Sequence, residues 1–336
     1  MIFLRGIGHY VPEHKLTNSF FDSLDIGSDA DFIESRVGIK ERRSCLSPET
    51  IKLVKEGKIS LKDLKAENKI PTMQDFARAS WPVLKGRCRE FLVDESQVEL
   101  CVVGTSTPDD DIPAHGCSLG NAVNFTKAVG FDVNSACSTF VVELQLISSL
   151  LNSNNYKNAA FFCMDRYTTR VDYNNKKTCI LFGDSAACGY LEKSDIPGGL
   201  RLIDTWLESD GSGYSLIRMP TGEFFDQSGQ AVQKFAVQKT IYSVQKILER
   251  NNLAQNQISY FISHQANLRM LEYCAEKLKL RPDQHLFNVD LFGNQGSAGA
   301  PVVMSMNWDK FKPGDYVVVA VVGSGLTWGA ALFQMT

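Results

Sequence analysis

Short apolar runs of strand length recur along this 336-residue chain at 2–8, 98–104, 129–134, 159–164 and 186–191, and the intervals between them are long enough to hold helices. That alternation predicts an α/β architecture. The segment SDIPGG (194–199) then interrupts with a proline and two glycines, and a second series follows at 200–207, 260–262, 285–289, 316–322 and 330–334, with a long helix expected at about 230–251. We therefore expect two halves of like plan, 1–194 and 195–336, although no residue-level repeat is visible. The Lys- and Glu-rich stretch 45–68, with Leu53, Leu61 and Leu64 in helical spacing, reads as a solvated excursion with helical pieces. Trp81-Pro82, inside the helical pattern 73–88, marks a kink or a boundary.

Bulk properties narrow the class of function. No segment approaches the roughly 20 apolar residues of a membrane-spanning helix, so no membrane partner is expected. A net charge of −3 gives no general attraction to nucleic acid. Gly6 and Gly8 interrupt the apolar N-terminus before any signal-peptide core forms, which makes 2–8 the first strand. Nine cysteines without a CxxC pair, several inside apolar runs, suit a reducing, cytoplasmic setting. No two cysteines or histidines fall at ligand spacing, so no metal is expected. His9, His14, His115 and His285 are read as surface or structural residues.

Cys137 differs from the other eight. In FDVNSACSTF (131–140) the apolar stretch 129–133 ends abruptly and a helical pattern, 141–151, begins. A thiol at a helix N-terminus meets unpaired N–H groups and the positive end of the dipole, so a stabilised thiolate is expected. A tetrahedral intermediate at Cys137 needs two N–H donors. One is its own amide, and the glycine-rich turn VVGSGLTWG (321–329) offers Gly323 and Gly325 for the second. This turn leads into another strand, which excludes a dinucleotide loop, and Gly6-x-Gly8 fails the same test. His264 and Asn294 each close a short apolar segment. Both can donate a hydrogen bond to a developing enolate without adding net charge, yet cysteine hydrolases also use Cys, His and Asn, so the residue types alone leave the reaction open.

FDVNSACSTF, FGDSAACGY (182–190), SHQANLRM (263–270), GNQGSAGAP (293–301) and VGSGLTWGAALF (322–333), in that order, resemble the signature segments of the 3-oxoacyl-[acyl-carrier-protein] synthase III family of the thiolase superfamily. GIGHYVPEHKLTN (6–18) and DFIESRVGIKERR (31–43) extend the similarity to the start of the chain. The resemblance implies a thiolase-like fold of two pseudo-duplicated halves in a layered αβαβα body. It implies acylation of Cys137 from an acyl-coenzyme A, an oxyanion hole of the Cys137 and Gly325 amides, and decarboxylation of a malonyl thioester on acyl carrier protein assisted by His264 and Asn294. No cofactor is implied beyond these substrates. Arg36 would meet coenzyme A phosphates, Phe32 the adenine and Asn267 the pantetheine. Lys234, Arg269 and Lys277 would face the carrier protein, and a homodimer partner would contribute a residue to the acyl pocket.

Three departures stand out. Phe32 replaces a tryptophan common in the family, and Glu276 stands where a lysine is usual. Ile112, in DDDIPAHG (109–116), takes the place of an aromatic pocket cap, which predicts an enlarged or reshaped pocket and a longer or branched primer. The acidic run 109–111 beside it reads as a plain loop or as a bar to anionic acyl chains. Two other functions compete: a Cys–His acyltransferase that forms an ester, amide or thioester without decarboxylation, and an inactive partner subunit. Asn294 beside an intact HQAN segment argues against the former, and the complete trio against the latter.

Overall fold

All ten expected strands form, and they join one mixed sheet in a computed structural model that describes residues 1–88 and 91–336. The first five are β1 (Ile2–Tyr10), β2 (Leu100–Gly104), β3 (Val129–Val133), β4 (Asn158–Arg166) and β5 (Asp184–Lys193). The second five are β6 (Leu200–Ser209), β7 (Ile258–Ser263), β8 (His285–Leu286), β9 (Tyr316–Gly323) and β10 (Thr327–Met335). Their spatial order is β8-β7-β9-β10-β6-β1-β5-β4-β2-β3. Outward from the middle, each set of five pairs twice antiparallel and then twice parallel. The two sets meet only where Phe3 faces Arg201 and Leu4 faces Leu200.

Five helices complete the layers: α1 (Met73–Cys88), α2 (Thr139–Asn152), α3 (Gly229–Arg250), α4 (Leu268–Lys277) and α5 (Gly299–Met306). In α2, Phe140, Leu144, Ile147 and Leu151 make one apolar stripe and Val141 widens it, so a wide face of the helix is buried while Gln145, Ser149 and Asn152 remain exposed. It lies against β2, β4 and β5 of the first set and against β6, β9 and β10 of the second. By contrast, among the strands α1 packs chiefly on β1, β4 and β5 of the first set, and α3 chiefly on β6, β9 and β10 of the second. The order is thus outer helix, sheet, inner helix, sheet, outer helix, the αβαβα body that the family resemblance implies. A long apolar cluster fills the inner layer, with Val302, Val303 and Met304 of α5 beside the α2 residues.

Two local features differ from expectation. Helix α1 runs on through Pro82 to Cys88, because Trp81 and Leu84 are packed into the core on either side of it. Gly6 and Gly8 make this possible: a Cβ on Gly8 would stand 2.3 Å from the Ser80 carbonyl and 2.5 Å from the Leu84 nitrogen, so backbone packs on backbone. In the excursion 45–68, helices Pro48–Lys55 and Leu61–Ala66 do form, but they bury Ile51 and Leu64 while Leu53 faces solvent.

Because α2 is gripped from both sides, a gap in it cannot relax easily. Leu144→Ala is expected to cost about 2–5 kcal/mol in urea unfolding. A loss below about 1 kcal/mol would contradict the sandwiched position.

Candidate active site

The chain leaves β3 and turns sharply before α2. Asn134 Oδ1 accepts the Ala136 N–H at 3.0 Å, Ser135 N–H donates to Thr139 Oγ1 at 2.9 Å, and the Thr139 hydroxyl donates back to the Ala136 carbonyl at 2.7 Å. Ala136 takes a left-handed φ of 47°, and Cys137 follows in the single turn Ala136–Ser138 that feeds α2. The end of β9 presses on this turn. A Cβ at Gly323 would lie 2.6 Å from the Ser138 nitrogen and 2.7 Å from the Ser135 carbonyl, so only glycine fits there.

Burial decides the charge of Cys137. Desolvation, with the charge of buried Asp165 adding to it, pushes the thiol up to about 12, against the opposing pull of its own backbone N–H. Burial thus works against the thiolate expected from the helix N-terminus, and the two effects pull the thiol in opposite directions. His264 follows β7, where its N–H donates to the Ala320 carbonyl at 2.9 Å, and desolvation lowers its imidazole to about 4. It is neutral across the physiological range.

Asn294 is held by its backbone and aimed by its side chain. Its N–H donates to the Leu181 carbonyl at 2.8 Å, and its own carbonyl accepts from Gly183 at 2.9 Å. Oδ1 accepts the Gly296 N–H at 3.0 Å, which leaves Nδ2 as the free, donating face of the amide. Cys137, His264 and Asn294 line one narrow cavity of about 90 Å³. Its inner wall is aromatic: Tyr167 stacks on Phe182 at 4.5 Å between centroids, and Phe225 meets Phe182 edge-on at 4.7 Å. Ser324 and Leu326, on either side of Gly325, also line it, and Gly325 itself has φ +132°.

Models of 3-oxoacyl-[acyl-carrier-protein] synthase III match residues 131–211, and those of its C-terminal part residues 248–335. A beta-ketoacyl-[acyl-carrier-protein] synthase III of Clostridium novyi (strain NT) is 30% identical over 98% of this chain and 98% of its own. The chain belongs to the 3-oxoacyl-[acyl-carrier-protein] synthase III family. It is accordingly a condensing acyltransferase with the thiolase-like fold. Among solved structures, the synthase III of Aquifex aeolicus VF5 matches with a TM-score of 0.87 at 24% identity, covering 99% of this chain and 100% of that one. The synthase III of Pseudomonas aeruginosa PAO1 matches with a TM-score of 0.82 at 25% identity, covering 99% and 98%.

Around this synthase III centre, the other expected residues fall in different places. Asn267 lines the cavity but also caps α4, its Oδ1 accepting the Arg269 N–H at 2.9 Å while Nδ2 reaches the Arg36 carbonyl at 3.5 Å. Phe32 is 42% exposed, with Arg36 6.0 Å and Lys176 5.7 Å from its ring centre. Lys176 was not legible in the sequence, for nothing in its spacing marks it. Arg269 is committed to the Ser35 and Glu34 carbonyls and to Glu272, and so clamps α4 to the helix Ala30–Val37. Lys234 and Lys277 are exposed. Ile112 is 84% exposed and points away from this chain's own cavity.

Other surroundings were also missed. The acidic run is largely neutralised, Asp109 pairing with Arg166 at 2.5 Å and Asp110 with Lys65 at 3.6 Å. His115 is structural as expected: its Nδ1 faces Asp132 at 3.0 Å and its Nε2 accepts the Asp109 N–H at 3.1 Å. Tyr167 and Phe225 carry no motif, since only folding brings them to Cys137.

A thiol held up to about 12 should react with iodoacetamide at a rate that climbs about tenfold per pH unit from pH 7 to 10. Mass spectrometry of the Cys137 adduct measures this, and a plateau below pH 8 would show that the thiolate is the resting form.

Proposed function

We propose that the chain accepts an acyl group from an acyl-coenzyme A on Cys137 and condenses it with malonyl-acyl carrier protein, with loss of carbon dioxide, to give a 3-oxoacyl product. The observation that carries this is the free Nδ2 of Asn294 on the same cavity wall as Cys137 and an uncharged His264. In the first half-reaction the thiol gives its proton to neutral His264 as sulfur attacks the thioester carbonyl. The tetrahedral oxyanion sits on the Cys137 and Gly325 amides, and coenzyme A leaves as its thiol with that proton. In the second, the malonyl carboxylate departs as carbon dioxide and its electron pair becomes an enolate, stabilised by hydrogen bonds from His264 and Asn294 Nδ2. The enolate carbon attacks the acyl-Cys137 carbonyl, and collapse of that adduct expels the Cys137 thiolate, which is reprotonated. Transfer without decarboxylation has less use for two neutral donors.

The narrow aromatic end suits a short apolar primer in the single chain, and the larger pocket expected from Ile112 belongs to a cavity completed by a second copy. A longer chain would have to pass Tyr167 and Phe225 into an outer cavity of about 600 Å³ lined by Asp109, Arg170 and Arg218, where apolar carbon gains little. Coenzyme A is assigned to Phe32, Arg36 and Asn267, and the carrier protein to the face bearing Lys234 and Lys277, with Arg269 supporting that face from behind. Two supports favour a homodimer: β3 ends the sheet with its outer edge free and Val129 51% exposed, and Ile112 stands out where only a second copy can use it as a pocket cap. The matching order and direction of the two strand sets support a division into halves 1–194 and 195–336. Nine free thiols fit a cytoplasmic setting.

Intact mass after exposure to a panel of acyl-coenzyme A thioesters should show an adduct for short acyl groups, absent in Cys137→Ala. Asn294→Ala should still acylate but release carbon dioxide roughly 100-fold more slowly from malonyl-carrier protein. No adduct on the wild type, or undiminished release in Asn294→Ala, would refute the scheme. Sedimentation should give twice the chain mass, and a monomer at working concentration would remove the role of Ile112.

A further inference from the structure

Asp165 lies near the end of β4, only 1% exposed, and accepts hydrogen bonds from five donors. To Oδ1 come the Ser106 N–H at 2.7 Å and the hydroxyls of Thr107 at 3.2 Å and Thr105 at 3.3 Å. To Oδ2 come the N–H and the hydroxyl of Ser297, both at 2.8 Å. The donors belong to two different loops. One follows β2, and the other is the loop that begins at Asn294.

Each loop leads in one further step to the reaction centre. On the Ser297 side, Gly296 donates its N–H to Asn294 Oδ1 at 3.0 Å, the bond that turns Nδ2 toward the cavity. Gly296 is itself pressed on the carboxylate: it holds φ +59°, and a Cβ there would stand 2.3 Å from Asp165 Oδ2. On the other side, the Ser106 hydroxyl donates to Asn134 Oδ1 at 3.3 Å, the oxygen that also accepts the Ala136 N–H at 3.0 Å and shapes the turn before Cys137.

We propose that Asp165 is a positioning residue that sets the Asn294 amide against the Cys137 turn, acting through Ser297 and Gly296 on one side and Ser106 and Asn134 on the other, and that decarboxylation depends on it more than acylation does. This rests on the roles of Cys137 and Asn294 proposed above. The chemistry of the hub explains why a carboxylate is required. Every partner is a donor and a carboxylate only accepts, whereas an amide would turn its own N–H groups toward the Ser106 or Ser297 N–H and force one loop away. Acylation needs Cys137, His264 and the oxyanion amides. The loop that Oδ2 holds carries Asn294, so its displacement falls mainly on the second half-reaction.

The test compares Asp165→Asn and Ser297→Ala with wild type and Asn294→Ala, reading the acyl adduct on Cys137 by intact mass and carbon dioxide release from malonyl-carrier protein. The Asp165→Asn protein, if folded by circular dichroism, should acylate within about threefold of wild type and release carbon dioxide roughly 100-fold more slowly. Ser297→Ala removes one side-chain donor and keeps the backbone, so it should slow release roughly 3- to 10-fold with acylation unchanged. It decides the matter even where Asp165→Asn does not fold. Equal falls in both half-reactions, or release at the wild-type rate in Ser297→Ala while Asn294→Ala is silent, would overturn the positioning role alone. Wild-type release in Asn294→Ala would overturn the Asn294 assignment, and this inference with it.

Discussion

An α-helix with a wide apolar face has to be covered over most of its circumference, and helix α2 sets that demand at the middle of this molecule. One five-stranded set covers one face and the second set the other, although the two share only a short strand ladder at Phe3–Arg201 and Leu4–Leu200. The inner helix layer, more than the sheet junction, joins the body. Its N-terminus then falls where the ends of β3, β7 and β9 converge, which places the Cys137 turn beside His264 and the Gly323 turn.

The same burial sets the electrostatics. Taking a thiol and an imidazole out of water raises one to about 12 and lowers the other to about 4, so both rest uncharged. A neutral His264 can take a proton from sulfur and can also donate a hydrogen bond without holding a carboxylate in place. Burial raises the Asp165 carboxyl too, while its hydrogen-bond donors pull it back toward the ionised form. Glu143, in α2 behind the nucleophile, has only the Cys163 thiol as donor at 2.7 Å, and burial raises its carboxyl well above the ordinary range.

Much of the fold was legible because strands and turns are local. The ten apolar runs, the hairpin closing the chain and the strand-to-helix turn at Cys137 stand where periodicity and glycine placement put them. The signature segments located His264 and Asn294 as well. Where local reasoning failed, distant packing had overridden it. Of the kink or boundary expected at Pro82, the boundary does not occur, since Gly6 and Gly8 let the strand seat the helix closely. Arg269 looks like a free surface cation in its helix, yet it is tied to carbonyls more than 230 positions away in the chain.

The sequence by itself determined the α/β class and singled out Cys137, His264 and Asn294 as the proposed reacting group, because each is written in a short contiguous pattern. Tertiary structure decided the resting charge of Cys137, the aromatic wall of Tyr167, Phe182 and Phe225, and the junction at Asp165. Desolvation, cavity shape and hydrogen-bond satisfaction depend on which distant segments meet, and no window of neighbouring residues contains that information.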